Sequence, residues 1–297
     1  MLTVVLGLGS ALGYALHDYL MVKVVRAAAV WTALTWSMGT GLVILLPLAL
    51  VIDGFPSGSA EWRAVAFATA SGVCEAAGLG CLLRGLVKGN LSVVTPLASL
   101  TGGFVAVIMI VQGEPLPAFA LVGLPLAVAG GLMASVEKVP KERVFGPEDG
   151  AAGAAGSAGR TRATAGAGWA LLSAALFAGT MLLLVEAGAL HPVALAAYGR
   201  LGTMVVLVPV TLLLAGLRLP RPLARRAAFA GVFDAAAFVA LAAAISIGPV
   251  AIASVVVSQS GTMAALLGLF VLRERLSRVQ IVGVALTCVA VALLAIE

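Results

Sequence analysis

The chain has 297 residues, of which 62% are hydrophobic and 10% charged, and its mean hydropathy is +1.13. So few polar residues cannot cover the surface of a water-soluble globule, and the composition therefore predicts an integral membrane protein. The net charge of +5 does not indicate a nucleic-acid partner, because the basic residues fall between long apolar segments. The partner that we expect is the lipid bilayer.

The apolar segments, taken in chain order, predict ten transmembrane helices. Each is long enough to cross a hydrocarbon core of ~30 Å at a helical rise of about 1.5 Å per residue. The first segment has no basic residues before it and is followed directly by further apolar segments, so we interpret it as a helix and not as a signal peptide. The ten helices are expected at residues 3–22, 30–52, 64–83, 91–111, 117–136, 167–187, 192–214, 227–247, 250–272 and 276–296.

The connection between the fifth and sixth helices differs from the others in length and composition. Residues 137–165 are charged at first and then rich in Gly, Ala, Ser and Thr, a composition that is typical of flexible linkers. We therefore predict two five-helix units, residues 1–136 and 166–297, joined by this linker.

The two units have related sequences. A shift of 160 positions without gaps carries Glu274 onto Glu114 and Gly283 onto Gly123. Because each unit has an odd number of spans, the second copy would be inverted in the membrane relative to the first. The sequence thus predicts an all-α membrane protein of two inverted five-helix repeats, an arrangement typical of secondary transporters.

The basic residues predict the orientation of the chain. Of the 18 Lys and Arg residues, all except Arg63 and Arg200 fall in the odd-numbered connections. Cytoplasmic loops of membrane proteins are enriched in Lys and Arg. We therefore predict a multi-pass protein of a prokaryotic plasma (inner) membrane, with the odd-numbered connections in the cytoplasm and both termini outside.

Four segments carry a resemblance to a known family: Ser254–Ser277, Val93–Leu97, Gly113–Leu116 and His191–Arg200. In these segments, and over its whole length, the chain resembles the EamA-type ten-helix transporters of the drug/metabolite transporter superfamily. The resemblance implies a carrier of small molecules, often an exporter of metabolites, amino acids or drugs, that works by alternating access.

Three charged residues are expected deep inside predicted helices. Glu75 and Asp234 lie near the middle of the third and eighth helices, and the shift of 160 places Asp234 one position from Glu75. A charged side chain at the bilayer centre costs roughly 2.5–3.5 kcal/mol or more, so it normally faces a cavity or a partner. We therefore predict that both acids function in coupling transport to protons, the alternative being a structural pair. Arg200 is predicted either as the counter-ion of an acid or as the ligand of a substrate carboxylate.

Further polar residues are candidates for the transport pathway. Gln259 is expected there because an unpaired amide in hydrocarbon is costly. Glu114 and Glu274, which end helices, are expected to cap or contact other helices. The residues expected to line a cavity are Tyr14, His17, Asp18, Trp36, Tyr198, Ser258 and Thr262; interfacial placement is the alternative for His17 and Asp18, and simple packing is the alternative for the aromatic residues.

These features predict a secondary carrier of small molecules. No ATP-binding motif occurs in the sequence, so a gradient, most simply of protons, would drive transport. The alternatives are a lipid flippase of the same fold, a non-transporting membrane scaffold and a membrane enzyme. We expect no cofactor, no metal site and no catalytic residue, and either a monomer or a homodimer.

Overall fold

A computed structural model of the protein describes residues 1–88, 91–135, 158–271 and 277–296. The regular secondary structure in these ranges is α-helical throughout, which confirms the predicted all-α class. The helices are α1 (Leu2–Ala27), α2 (Val30–Ile52), α3 (Ser59–Lys88), α4 (Leu91–Ala98), α5 (Thr101–Val111), α6 (Ala118–Ala134), α7 (Ala158–Glu186), α8 (Pro192–Leu214), α9 (Arg221–Ile247), α10 (Val250–Val257), α11 (Ser260–Val271) and α12 (Arg278–Leu294).

The helices account for each of the ten predicted apolar segments. Among the described residues, eight segments are long and apolar enough to cross a membrane, and α6 and α12 are shorter apolar helices of 17 residues each. Helices α1, α3, α7 and α9 extend several residues beyond their predicted bounds. Hydropathy underestimates such helices because polar residues at their ends, such as Lys23 and Arg26, remain helical outside the apolar core.

Two predicted helices, 91–111 and 250–272, are not continuous. The first consists of α4 and α5 with a break at residues 99–100, and the second consists of α10 and α11 with a break at residues 258–259. The prediction of continuous helices is wrong at these two points. Under a shift of 159 positions the two breaks coincide, so they belong to the repeated unit.

Hydroxyl side chains satisfy backbone groups at both breaks. Ser99 Oγ donates to the carbonyl oxygen of Pro96 at 2.8 Å, and Ser258 Oγ donates to that of Val255 at 2.7 Å. A carbonyl group released from a helix finds no water inside a membrane, so it needs a partner within the protein. The serines supply that partner and allow the helices to break within the bundle.

The helix contacts made by the two halves of the chain correspond to one another. Helix α3 packs on α7 and α8, and its counterpart α9 packs on α1 and α2. Helices α4 and α5 contact α7 as α10 and α11 contact α1. Two further contacts join counterparts directly, α2 with α8 and α6 with α12. Helices α2 and α8 therefore contact each other and lie between α3 and α9.

Glycines permit the closest of these contacts. A Cβ atom added to Gly72 of α3 would overlap the carbonyl oxygen of Gly199 in α8, and one added to Gly231 of α9 would overlap that of Ser37 in α2. Small residues at such positions let helix backbones approach each other. The contacts hold α3 against α8 and α9 against α2.

Candidate functional site

A buried ion-pair cluster joins three helices. Arg200 of α8 lies between Glu75 of α3 and Asp234 of α9, with Nη1 2.6 Å from Glu75 Oε2 and Nη2 2.9 Å from Asp234 Oδ2. Arg200 is 0% exposed, Asp234 1% and Glu75 9%. We call this cluster the acid–arginine triad. With all three groups ionised, it carries one more negative charge than positive.

The two acids of the triad are held differently. Glu75 Oε2 accepts hydrogen bonds from Arg200 Nη1 and from Thr203 Oγ1, the latter at 2.8 Å. Asp234 Oδ2 is close to Arg200 Nη2, but their alignment is not that of a hydrogen bond, and neither atom has a hydrogen-bond partner among the described residues. Directional bonds therefore fix Glu75, whereas charge attraction holds this oxygen of Asp234.

A short repeated motif positions the two acids. Glu75 lies three residues after Gly72, and Asp234 lies three residues after Gly231. Residues three apart on a helix share one face, so each acid lies one turn beyond a glycine contact and on the same side. The motif reads Gly-Val-Cys-Glu-Ala-Ala in α3 and Gly-Val-Phe-Asp-Ala-Ala in α9. A shift of 159 aligns it, and the shift of 160 misses it by one position.

Aromatic side chains surround the guanidinium. The ring centroid of Phe238 lies 4.3 Å from Arg200 Cζ, a distance at which the ring face attracts a cation. Tyr14 of α1 is half-buried, and its hydroxyl interacts with Arg200, Glu75 and Asp234. The structure thus places Tyr14, one of the predicted cavity-lining residues, beside the triad.

His17 interacts with the triad and also contacts the exposed acid Asp18. Its Nδ1 lies 3.0 Å from Asp18 Oδ1 and its Nε2 lies 3.1 Å from Ser37 Oγ. The side chain of His17 is 7% exposed and that of Asp18 is 71% exposed. His17 also interacts electrostatically with Asp234 and Arg200.

Helix α1 continues beyond Asp18 to Ala27, and its last residues, which include Lys23 and Arg26, lie outside the apolar core. A place on the transport pathway and a place at the membrane interface both stay predictions for His17 and Asp18.

Gln259 belongs to a separate hydrogen-bond cluster. Its Nε2 donates to the carbonyl oxygens of Ala127 and Val255, each at 3.1 Å, and its Oε1 accepts from Thr262 at 3.2 Å and from Thr287 at 3.3 Å. None of these bonds reaches the triad. The cluster ties the break between α10 and α11 to α6 and α12, and a pathway role for Gln259, Ser258 and Thr262 stays a prediction.

A polar seam joins the first turns of α2 to the end of α8. Thr35 Oγ1 lies 2.7 Å from Thr211 Oγ1, Thr32 Oγ1 donates to Gly216 at 2.8 Å, and the indole of Trp36 donates to Leu217 at 2.9 Å. We call these contacts the α2–α8 seam. The seam holds the two helices together on the side of the odd-numbered connections.

The opposite ends of the same two helices enclose a cavity of ≈ 210 Å³. Its polar lining comes from Asp53, Glu61, His191 and Tyr198. A shift of 162 pairs Trp36 of the seam with Tyr198 of the cavity, and the same shift pairs two seam threonines, Thr32 and Thr211, with the cavity alanines Ala194 and Ala49. On this side Asp53 Oδ2 accepts a hydrogen bond from the backbone N–H of His191 at 3.0 Å. The α2–α8 contact therefore combines a cavity and a hydrogen bond on this side with the side-chain bonds of the seam on the other.

Glu114 caps a helix, as one of the sequence alternatives predicts. Its two carboxylate oxygens accept hydrogen bonds from the backbone N–H groups of Val250 and Ala251, at 2.5 and 2.9 Å, at the start of α10. Gly113 has φ +85°, a conformation that favours glycine and that turns the chain toward Glu114. Glu274 lies outside the described residues, and so does the predicted linker as far as residue 157. Residues 158–165, which the prediction also assigns to the linker, belong to α7.

The helices and the buried triad define a multi-pass, all-α transmembrane protein with charged residues between its helices. A model of the EamA-like transporter family matches residues 1–136 and 164–296. The chain therefore belongs to the EamA-like transporter family and is a transmembrane transport protein of the drug/metabolite transporter type.

Comparison of structures agrees on the fold. The structure of this chain matches 27 chains of solved structures. One of them, titled only as the crystal structure of a protein, superposes with a TM-score of 0.74 over 99% of this chain and 96% of its own, at 12% sequence identity. No curated protein matches the sequence.

Proposed function

We propose that the protein is a secondary active transporter that carries a small metabolite, amino acid or drug across the membrane by alternating access and is driven by protons. The observation that carries the proposal is the acid–arginine triad, in which two carboxylates share one guanidinium near the middle of α3, α8 and α9. A structural ion pair needs one acid for one base. The second acid leaves an excess negative charge that a proton neutralises.

The energetic cost of that charge supports proton coupling. A buried charge without a partner is unfavourable in an apolar environment, so the triad favours the uptake of one positive charge. Intramembrane carboxylates serve as proton carriers in many pumps and transporters. Uptake in one conformation and release in the other would couple proton flow to the movement of the helices.

The α2–α8 seam and the cavity support alternating access. We propose that the two halves are inverted repeats, since their helix contacts and Gly-Val-x-acid-Ala-Ala motifs correspond. In such transporters the repeats exchange conformations around a fixed site. Opening of the seam would then accompany closure of the cavity. The distribution of basic residues predicts that the cavity lies on the outer side of the membrane.

One observation favours a lipid flippase as the second candidate. An apolar cavity of ≈ 470 Å³ lies between α5 and α6, lined by residues such as Phe104, Leu121 and Pro125. A lipid tail would fit such a lining. The cavity has no charged lining residue for a headgroup, however, and does not include the triad. The small-molecule carrier is therefore the better-supported function.

Reconstitution separates the two candidates. Purified protein in sealed vesicles should accumulate at least one compound from a panel of labelled amino acids, metabolites and cationic dyes when a pH gradient is imposed. Without the gradient, accumulation should stop at equilibrium. Movement of a fluorescent phospholipid between leaflets, with no accumulation of any soluble compound, would contradict the proposal and favour the flippase.

A further inference from the structure

We infer that the Nε–Nη2 edge of Arg200 is an exchangeable carboxylate site. Asp234 occupies it in the substrate-free protein, and the carboxylate of a small organic acid occupies it during transport. Glu75 remains bound to Nη1 throughout. The inference rests on the proposed transport function and names its substrate class as molecules that carry a carboxylate.

The geometry of the guanidinium identifies the edge. Arg200 presents five N–H donors in one plane, and the pair on Nε and Nη2 matches the two oxygens of a carboxylate. Within the part of the chain that the structure describes, these two nitrogens of Arg200 have no hydrogen-bond partner, although the side chain is 0% exposed. A buried donor left unsatisfied is costly, so this edge favours a ligand with two acceptor oxygens.

The difference between the two acids identifies the one that exchanges. Glu75 is held by Arg200 Nη1 and by Thr203 Oγ1. Asp234 Oδ2 lies 2.9 Å from Nη2 without an aligned hydrogen bond. Displacement of Glu75 would break two directional bonds, whereas displacement of Asp234 from Nη2 would break none.

The surroundings of Asp234 provide a source for the proton. The titratable side chains that interact with Asp234 include Arg200 of α8 and, from α1, Tyr14 and His17. Helices α2 and α10 contain no charged residue, and the described side chains of α7 include only Glu186, at its last position. His17 interacts both with Asp234 and with the exposed carboxylate of Asp18, from which its Nδ1 is 3.0 Å away.

The exchange conserves charge. A proton that reaches Asp234 neutralises its carboxylate and weakens its attraction to Arg200. The incoming organic acid brings one negative charge, which pairs with the guanidinium that Asp234 releases. The buried charge is the same before and after the exchange, so one proton enters with each carboxylate.

Infrared spectroscopy of the purified protein tests which acid titrates. Acidification should produce, separate from the bands of the exposed acids, the carbonyl band of a buried protonated carboxyl group in the wild type and in Glu75→Gln. The band should be lost in Asp234→Asn. Loss of the band in Glu75→Gln with retention in Asp234→Asn would overturn the inference.

Binding of acetate to the variant Asp234→Ala tests the Nε–Nη2 edge of Arg200 directly. Asp234→Ala removes the resident carboxylate, so acetate should raise the midpoint of heat unfolding of this variant well above any change in the wild type. Acetamide, which has the same shape and no charge, should have no such effect. Equal effects of acetate and acetamide, or no effect of acetate, would overturn the inference. Neither measurement uses transport, so their failure leaves proton-coupled transport to be judged by the vesicle experiments.

Discussion

The three charges of the acid–arginine triad depend on one another. Arg200 is fully buried and lies within 3 Å of an oxygen of each acid. A buried ion pair contributes modestly to stability as a whole, because desolvation opposes the attraction between its charges. Removal of one partner is far more costly, since it leaves the other charge buried and unpaired. Arg200 has two such partners.

The substitution Arg200→Gln should therefore destabilise the protein strongly. It leaves Glu75 and Asp234 without their shared counter-ion, and we expect the free energy of unfolding to fall by roughly 3–5 kcal/mol. Chemical unfolding in detergent micelles measures this loss. Combining Arg200→Gln with Glu75→Gln and Asp234→Asn should restore much of the stability. Wild-type stability of the single variant would show that the triad is not an essential ion pair.

The helices bring the triad together through backbone contacts between small residues. Gly72 of α3 lies against Gly199 of α8, one turn before Glu75. Close approach at this point sets the distance between the acid and Arg200. Any side chain at residue 72 would move α3 away from α8, because overpacking of a tight contact forces the backbone to shift.

We expect Gly72→Ala to lower stability by roughly 1–3 kcal/mol or more, because the added Cβ has no free volume. Gly9→Ala in α1 is the matched control, since nothing lies within 4 Å of a Cβ at that glycine. The control should be neutral or slightly stabilising, because alanine favours the helix. Comparison of heat unfolding of the two variants checks the contact. Equal unfolding midpoints would contradict close packing of α3 on α8.

Much of the whole molecule follows from its sequence. The ten apolar segments indicate the helices, and the cost of burying charge singles out Glu75, Asp234 and Arg200. Hydropathy does not reveal the breaks within the α4–α5 and α10–α11 spans, because a broken span has the same composition as a continuous one. Hydropathy does not predict the partners of Gln259 either: two of its four hydrogen bonds join it to α6 and α12, and the other two stay within α10 and α11.

The sequence alone does not predict that the two acids contact the same arginine. The sequence places Glu75 and Asp234 at similar depths, but depth alone does not show that they converge on one arginine. The convergence depends on the order in which α3, α8 and α9 pack. The Gly-Val-x-acid-Ala-Ala motif around each acid does indicate that the two acids correspond. It aligns at a shift of 159 positions, so the alignment at a shift of 160 does not reveal it.

Accumulation by amide variants in vesicles shows whether the triad couples transport to protons. Glu75→Gln and Asp234→Asn preserve shape and remove only the titrating group. With the substrate found in the vesicle screen, the wild type should accumulate it under a pH gradient. Asp234→Asn should lose accumulation and retain downhill exchange. Wild-type accumulation by both amide variants would contradict this coupling and place the coupling ion elsewhere.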